Sequence, residues 1–384
     1  MSRITERKSN FELLRIFAML MIVGSHFAVH GVQHVLDLEN AYKVWADGTF
    51  INKFITSLFP PGGALGVSLF FMLTGYFLVG KMKTSVLKVC LQTIFYGIFI
   101  AIFLIANLLL YKFFGFGYAF SELTVVQKVF TVFRNIFVPI SSSAWWFVSA
   151  YVLLVLVAPF INQFLAKLNK SGFIFLLIVT WFFWYSCQYI VNSAYFSLGR
   201  AFFFYSLGAF YKKYIEHKGA KLSYLLLVIV FWILYSLIEY FFAGKVGKNT
   251  ASAFLAFLKV TAEGTKLCFL IPVMAWCLFT FFARLEIKSS CFINTLAATT
   301  FGVYLIHDSG IGRNLIWNRI LKVSEVQFKS EYFPLIAIFD VLAVFAACSI
   351  LDFVRLKFFE PKMLASANKM LVKFKENYSI ESNS

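Results

Sequence analysis

Ten apolar spans can be drawn along this chain, several of them running for about twenty residues, the length an α-helix needs to cross a hydrocarbon core of ~30 Å. They fall near 11–30, 61–80, 86–111, 144–165, 172–192, 198–214, 222–242, 265–283, 295–313 and 334–354. The chain is 60% hydrophobic and 14% charged, and 50 of its 384 residues are Phe. Soluble chains average about 45–50% apolar and have no interior able to hide such a surplus. The expected fold is all-α: a polytopic membrane protein of about ten transmembrane helices.

A net charge of +17 would suit a nucleic-acid partner, but its placement argues for topology instead. With the N-terminus cytoplasmic, the inner segments hold Arg3, Arg7 and Lys8, then Lys81, Lys83 and Lys88, then Lys167 and Lys170. Lys212, Lys213, Lys218 and Lys221 follow, then Arg284 and Lys288, then the tail from Arg355 to Lys375. These groups hold more than half of the 35 basic residues, the bias expected of cytoplasmic loops. Both termini are therefore expected in the cytoplasm, with the basic rim drawn to anionic membrane lipids and no nucleic-acid role. The cell membrane, bacterial plasma membrane by expectation, is the predicted location. The first run follows basic residues as a signal peptide would. It is long, however, Arg15 interrupts it, and no clear small-x-small site follows, so it reads as a retained helix. The six cysteines (90, 187, 268, 277, 291 and 348) are scattered and form no C-x-x-C pair, which suits small core residues rather than a disulfide or metal framework.

No internal repeat appears, so residues 1–360 read as one membrane domain and 361–384 as a polar, basic cytoplasmic tail. Two outer loops are long, 31–60 and 112–143. Within the second, Val125, Val126, Val129, Phe130, Phe133, Ile136 and Phe137 fall on one face of a short helix, with Gln127, Lys128, Thr131, Arg134 and Asn135 opposite. Such a helix lies in the outer interface, either bordering a substrate entrance or as a simple anchored connector.

The first span carries a costly pair. Arg15 and His26 are eleven residues apart, about three helical turns, so they share one face roughly 16–17 Å apart along the axis. Arg15 stands near the inner surface, where it can bind phosphate or reach up to lipid headgroups. His26 lies in the outer half, either as a hydrogen-bonded packing residue or as a general base. Together they fit a phosphorylated carrier with a long thin arm, docked at one end and reacting at the other. His26, His30 and His34 also have i,i+4 spacing suited to a metal. Gly31 is expected to end the helix after His30 and carry His34 off the shared face, leaving His30 and His34 as interfacial polar residues with no metal site.

These residues resemble a known family. The stretch "FELLRIFAMLMIVGSHF" is similar to the opening of the acyltransferase-3 family of membrane O-acyltransferases, whose first helix carries Arg or Lys, ten residues, then His. "GGALGVSLFFMLTGYFLVG" (62–80), "SAWWFVSAYVLLVLVAPFI" (143–161), "LGRAFFFYSLGAFY" (198–211) and "TFGVYLIHDSG" (300–310) resemble its later motifs. The resemblance covers nearly the whole chain, and its first motif is the most specific. It implies transfer of an acyl group, most often acetyl, from acyl-CoA (acetyl-CoA) as co-substrate to a sugar hydroxyl on a surface glycan or lipid-linked precursor. No permanently bound cofactor is implied.

Carried over, His26 is the catalytic candidate and Arg15 the donor-binding one, with Arg200 a second cation for donor or intermediate, or else an outer-surface anchor. Thr74, Gly75 and Tyr76 would line the site, as would Tyr304, His307 and Asp308. Trp145 and Trp146 would shape a substrate channel or form an interfacial belt. Many family members carry an acidic residue where this chain has Ser68, which leaves the partner of His26 open. Asp308 and Asp340 are candidate replacements, and His307 with Asp308 could instead be a structural polar pair. Two rival functions share the same substrates: a transporter or flippase for lipid-linked oligosaccharide, and a glycan polymerase. Paired halves with broken helices would favour the first, and large Arg-rich outer loops the second; neither is evident in the sequence.

Overall fold

The computed structural model of the chain describes residues 8–32, 48–114, 124–140, 145–190, 193–215, 219–243 and 270–381. It is helical throughout these segments: α1 (Ser9–His26), α2 (Phe50–Ser57), α3 (Pro60–Leu78), α4 (Leu87–Phe114), α5 (Val125–Phe137) and α6 (Trp146–Lys167). The order continues with α7 (Lys170–Ile190), α8 (Ser193–Tyr214), α9 (Leu222–Ala243), α10 (Leu270–Ala283), α11 (Cys291–His307), α12 (Phe333–Val354) and α13 (Glu360–Glu381). Each of the ten predicted runs overlaps one of these helices; the run 295–313 passes the helix end at His307, and residues 191–192 and 265–269 lie outside the described residues. Four helical stretches are long and apolar enough to cross a membrane: Ser9–Val32, Phe50–Leu78, Trp146–Lys167 and Phe333–Phe374. Shorter apolar helices occupy Leu87–Phe103, Lys170–Phe183, Leu222–Ile238, Leu270–Ala283 and Cys291–His307. Helix α8, which carries Arg200, Lys212 and Lys213, belongs to neither set among the described residues.

Helix α3 is the hub, packed on α1, α8 and α10. In lipid, helices associate through close packing rather than hydrophobic burial, and small residues permit the approach. The sequence supplies them where they are needed. A Cβ on Gly66 would lie 2.5 Å from the Ala18 carbonyl oxygen of α1, and one on Gly62 2.8 Å from that of Met21. On the other side of α3, a Cβ on Gly75 would collide with the Tyr205 carbonyl, and one on Gly208 with the Met72 carbonyl, so α3 and α8 cross backbone to backbone.

Polar side chains sort the helix ends. Asn10 donates to the Phe282 carbonyl at 2.9 Å, Asn162 to those of Leu78 and Lys81 at 2.8 and 2.9 Å, and Lys213 to that of Leu168 at 3.0 Å. Ser9 joins Asn294 and Ser290 at 2.9 and 2.8 Å. The segments predicted to be inner thus tie to one another at one end of the bundle. At the other end Asn52 of α2 donates to the carbonyls of Phe328 and Ser330 at 2.7 and 2.9 Å, and Trp232 to that of Leu58 at 2.8 Å.

One residue read from sequence as a simple charge proves otherwise. Arg355, counted in the basic tail, is buried and donates to Asp352 at 2.6 and 3.1 Å and to Glu360 at 2.7 Å. Tyr96 and Gln92 of α4 donate to the same Asp352 at 2.7 and 3.1 Å, so this network fastens α4, α12 and α13 together. The tail is helical rather than loose, since α12 runs through a π-helical turn at Arg355–Phe359 into α13. The amphipathic helix α5 forms as predicted, capped reciprocally by Thr124 and Gln127, with Val126, Val129, Phe130, Phe133 and Phe137 exposed.

Candidate active site

His26 is the last residue of α1, but the chain does not turn away after it. The sequence predicts a helix end at Gly31; the structure instead widens into a π-helical turn, Phe27–Val32. Gly31 is buried there against Val323, whose side chain would lie 3.2 Å from a Cβ, so packing holds the winding where composition alone would break it. A second π turn, Asn314–Ile320, packs on the first, with Phe27 and Trp317 edge to face at 5.9 Å. Single π turns inside helices are frequent at functional sites. His34 lies outside the described residues.

The other half of the site is the reversal at the end of α11. Asp308 caps that helix, its N–H donating to the Tyr304 carbonyl at 3.0 Å. Ser309 then accepts from the Gly312 N–H at 2.9 Å and starts a short turn, Gly310–Arg313. A Cβ on Gly312 would strike the Ile306 carbonyl, so the glycine permits a tight return. The return carries Arg313 back to Asp308, with Nε donating to Oδ1 at 2.8 Å.

Around that carboxylate the histidines gather. His26 Nδ1 lies 3.3 Å from Asp308 Oδ1 and 2.9 Å from His307 Nε2, and His30 Nε2 lies 3.8 Å from the same oxygen. His307 Nδ1 faces the Val303 carbonyl at 2.6 Å. His307 and Asp308 are fully buried, whereas the His26 and His30 side chains keep 20% and 16% of their surface. The cluster is therefore a partly exposed imidazole with a buried carboxylate and a buried second imidazole behind it. Asp308 stands beside His26 where Ser68 offers no charge. Asp340, the other candidate, interacts with Gln327. His30, expected at the interface, belongs to the cluster.

His26, His30 and Asp308 bring three ligand atoms within 4.8 Å of one another, enough to consider a metal. Asp308 Oδ1 is already held by the Arg313 guanidinium, and His26 Nδ1 lies against His307 Nε2.

Arg15 sits eleven residues below His26 on the same α1, about 16 Å along the axis. Its Nη1 bonds both oxygens of Glu12 at 3.1 Å, and its guanidinium lies 5.8 Å from the Phe77 ring. The neighbouring Tyr76 ring carries Lys212 at 4.7 Å. Tyr151 of α6 interacts with both Thr74 and the Arg15 charge. Thr74 and Tyr76 thus belong to the Arg15 end rather than to His26, while Gly75 serves the α3–α8 crossing.

Arg200 is buried, so it is no outer-surface anchor. It donates to the Ala64 carbonyl and, at 3.2 Å, to Ser68. This level is within about a turn of Gly63, which faces Ser25, next to His26, so Arg200 lies toward the His26 end rather than the Arg15 end. Ser68 also donates to the Ala64 carbonyl, at 2.7 Å, and so supports Arg200. Trp145 is in the core, not in an interfacial belt; its buried Nε1 finds no hydrogen-bond partner among the described residues. Trp146 is half-buried beside Phe147, whose ring meets Tyr304 at 5.7 Å, and Tyr304 in turn meets His307 at 6.5 Å.

Sequence reasoning missed Arg313, Glu12, Lys212 and Tyr151, and set His30 aside. Arg313 had a signal: an arginine five residues after Asp308, across a Ser-Gly-x-Gly reversal, can return to it. The others depend on which helices meet, which spacing along one helix does not reveal.

No curated protein and no solved structure matched the chain. A family model described as an acyltransferase domain matches residues 8–352, nearly all of the chain from just before α1 to the last turn of α12. The polar cluster at His26 and the cation at Arg15 are therefore parts of a membrane acyltransferase, and the chain belongs to the acyltransferase-3 family.

Proposed function

We propose that this acyltransferase moves an acyl group, acetyl in the simplest case, from cytoplasmic acyl-CoA to a hydroxyl of a cell-surface polysaccharide or its lipid-linked precursor. One observation carries the reading: a single helix holds a partly exposed imidazole backed by Asp308 and His307, and a cation about three turns away. CoA has phosphates at one end and a thioester at the end of a long arm, and that separation matches a chain of this form. Arg15, with Lys212 beside Tyr76, would hold the phosphates. His26 takes the acceptor hydroxyl's proton as its oxygen attacks the thioester carbonyl. The C–O bond forms, the C–S bond breaks, and the protonated imidazole returns the proton to the departing thiolate. Arg200, near the reacting end, would stabilise the oxyanion between these steps. About ten spans, with both termini in the cytoplasm of a bacterial plasma membrane, would put the donor inside and the acceptor toward the outer face.

The test is release of free CoA thiol from acetyl-CoA by the reconstituted protein, with mass analysis of surface glycan from cells with and without it. Hydrolysis or transfer that persists unchanged in a folded His26→Ala protein removes the assigned base. Glycan of identical mass in both cell types removes the acceptor class.

A further inference from the structure

The polar contacts of His307 carry an inference about which nitrogen of His26 does the chemistry. The Val303 carbonyl can only accept, so the His307 nitrogen facing it at 2.6 Å, Nδ1, must carry that ring's proton. A neutral imidazole has one N–H, which leaves His307 Nε2 a bare acceptor. That acceptor lies 2.9 Å from His26 Nδ1, and Asp308 Oδ1, a second acceptor, lies 3.3 Å from the same atom. Two acceptors converging on one nitrogen are satisfied only if that nitrogen bears the proton. The opposite assignment would set lone pairs against one another at both positions.

We infer that His307 is a positioning residue that fixes His26 as the Nδ1–H tautomer, leaving Nε2 as the proton-accepting atom. The inference rests on His26 being the base of the proposed transfer. The chain of bonds runs from the Val303 carbonyl through His307 to His26, so a backbone group one helical turn away on α11 sets the tautomer of a residue on α1. When Nε2 takes the hydroxyl proton, Nδ1–H stays on His307 and Asp308, and the new positive charge faces the carboxylate. Nε2–H then returns its proton to the thiolate. The groups facing His26 are His30 on its own helix, His307 and Asp308 from the end of α11, and Arg313 from the turn beyond.

The test uses the full chain in lipid with ¹⁵N-histidine. The sequence has five histidines, so the His26 signals can be assigned by difference from a His26→Gln protein. The expected spectrum has a protonated Nδ1 and a bare Nε2 on His26 in the resting wild type, and a mixture of tautomers in His307→Phe. In turnover, His307→Phe should lose kcat by ~10²-fold at an almost unchanged KM for acyl-CoA. His307→Gln, whose amide oxygen can still accept from Nδ1–H, should recover much of that loss. A wild-type His26 protonated at Nε2 overturns the inference, as does equal kcat in His307→Phe and wild type. The resonance readout needs no substrate, so it stands or falls apart from the acyl-transfer reading, which the His26→Ala assay tests.

Discussion

Arg313 and Asp308 form an ion pair, Nε to Oδ1 at 2.8 Å, in which the carboxylate is buried and the guanidinium keeps 29% of its surface. The pair leaves the site close to neutral while fixing the oxygen that faces His26. Removing Arg313 strands the buried carboxylate, which typically costs about 3–5 kcal/mol; removing Asp308 leaves a partly exposed guanidinium and costs less, and removing both costs far less than the first. Arg313→Gln and Asp308→Asn should each lower the melting temperature in detergent and lower kcat. The double variant should melt higher than the sum of the two losses implies. Additive losses in that double-mutant cycle would mean the two residues act independently.

At the far end of α1, Arg15 is bonded to Glu12, so a donor phosphate must compete with a carboxylate already in place. Arg15→Ala should raise the KM for acyl-CoA by about ten- to a hundred-fold, the worth of a charge-assisted bond of ~1.5–3 kcal/mol, with little change in kcat. Glu12→Gln should do the reverse and tighten acyl-CoA binding, because it frees the guanidinium and removes a repelling charge. Both are read by binding titration in detergent; a Glu12→Gln protein that binds more weakly would show that the carboxylate orients Arg15 for the donor.

The Arg15–His26 relationship was legible because it is a property of one helix: eleven residues and 3.6 per turn place both side chains on one face. The same reading of apolar length extends to the ten runs, each of which overlaps a helix among the described residues. It fails where the winding changes. A glycine after His30 reads as a stop, but burial against Val323 keeps the chain wound as a π turn, and His30 comes to face Asp308. It also fails where function depends on which helices touch. Thr74 and Tyr76 lie in a motif that reads as site lining, yet the parallel crossing of α3 and α8 at Gly75 and Gly208 sets them beside Arg15 and Lys212.

That crossing should be the least tolerant place in the bundle. Gly75→Ala and Gly208→Ala each drive a Cβ into a backbone carbonyl, which cannot move aside as a side-chain tip would. Each should cost about 1–3 kcal/mol or more, the range for overpacking, and lower the melting temperature measurably. Gly219→Ala is the control, since nothing lies within 4 Å of its Cβ position and its stability should match wild type.

The clustering of inner-segment side chains at one end makes a topology prediction. Cysteines replacing Lys81, Lys170 and Lys213, all exposed, should react with a membrane-impermeant thiol reagent only from the cytoplasmic side, and one replacing the exposed Lys329 only from outside. The six native cysteines, among them the exposed Cys291, must first be changed to Ser or Ala, so that no native thiol reports in their place. External labelling at position 213 would invert the bundle and place Arg15 on the outer face, away from cytoplasmic acyl-CoA.

The last expectation concerns the proton itself. A sugar hydroxyl is a poor nucleophile near neutral pH, and a positioned base typically contributes 10²–10⁴-fold. His26 can act as that base only while it is neutral, so kcat should fall toward low pH as one proton is taken up. Asp308 Oδ1 faces His26 and is held by Arg313, so Asp308→Asn and Arg313→Gln should each alter kcat where His26→Gln abolishes it, read in the same assay. His26→Ala and His26→Gln should lose kcat by at least ~10²-fold yet still bind acyl-CoA, since Arg15 lies about three turns away. His26→Ala removes a polar group from an apolar span and His26→Gln exchanges one neutral polar side chain for another, so both should leave membrane insertion intact. A well-inserted His26→Gln protein with near-normal transfer and an unmoved acid limb would make His26 a packing residue, and the proton would then have to pass to His30, the other partly exposed imidazole on Asp308.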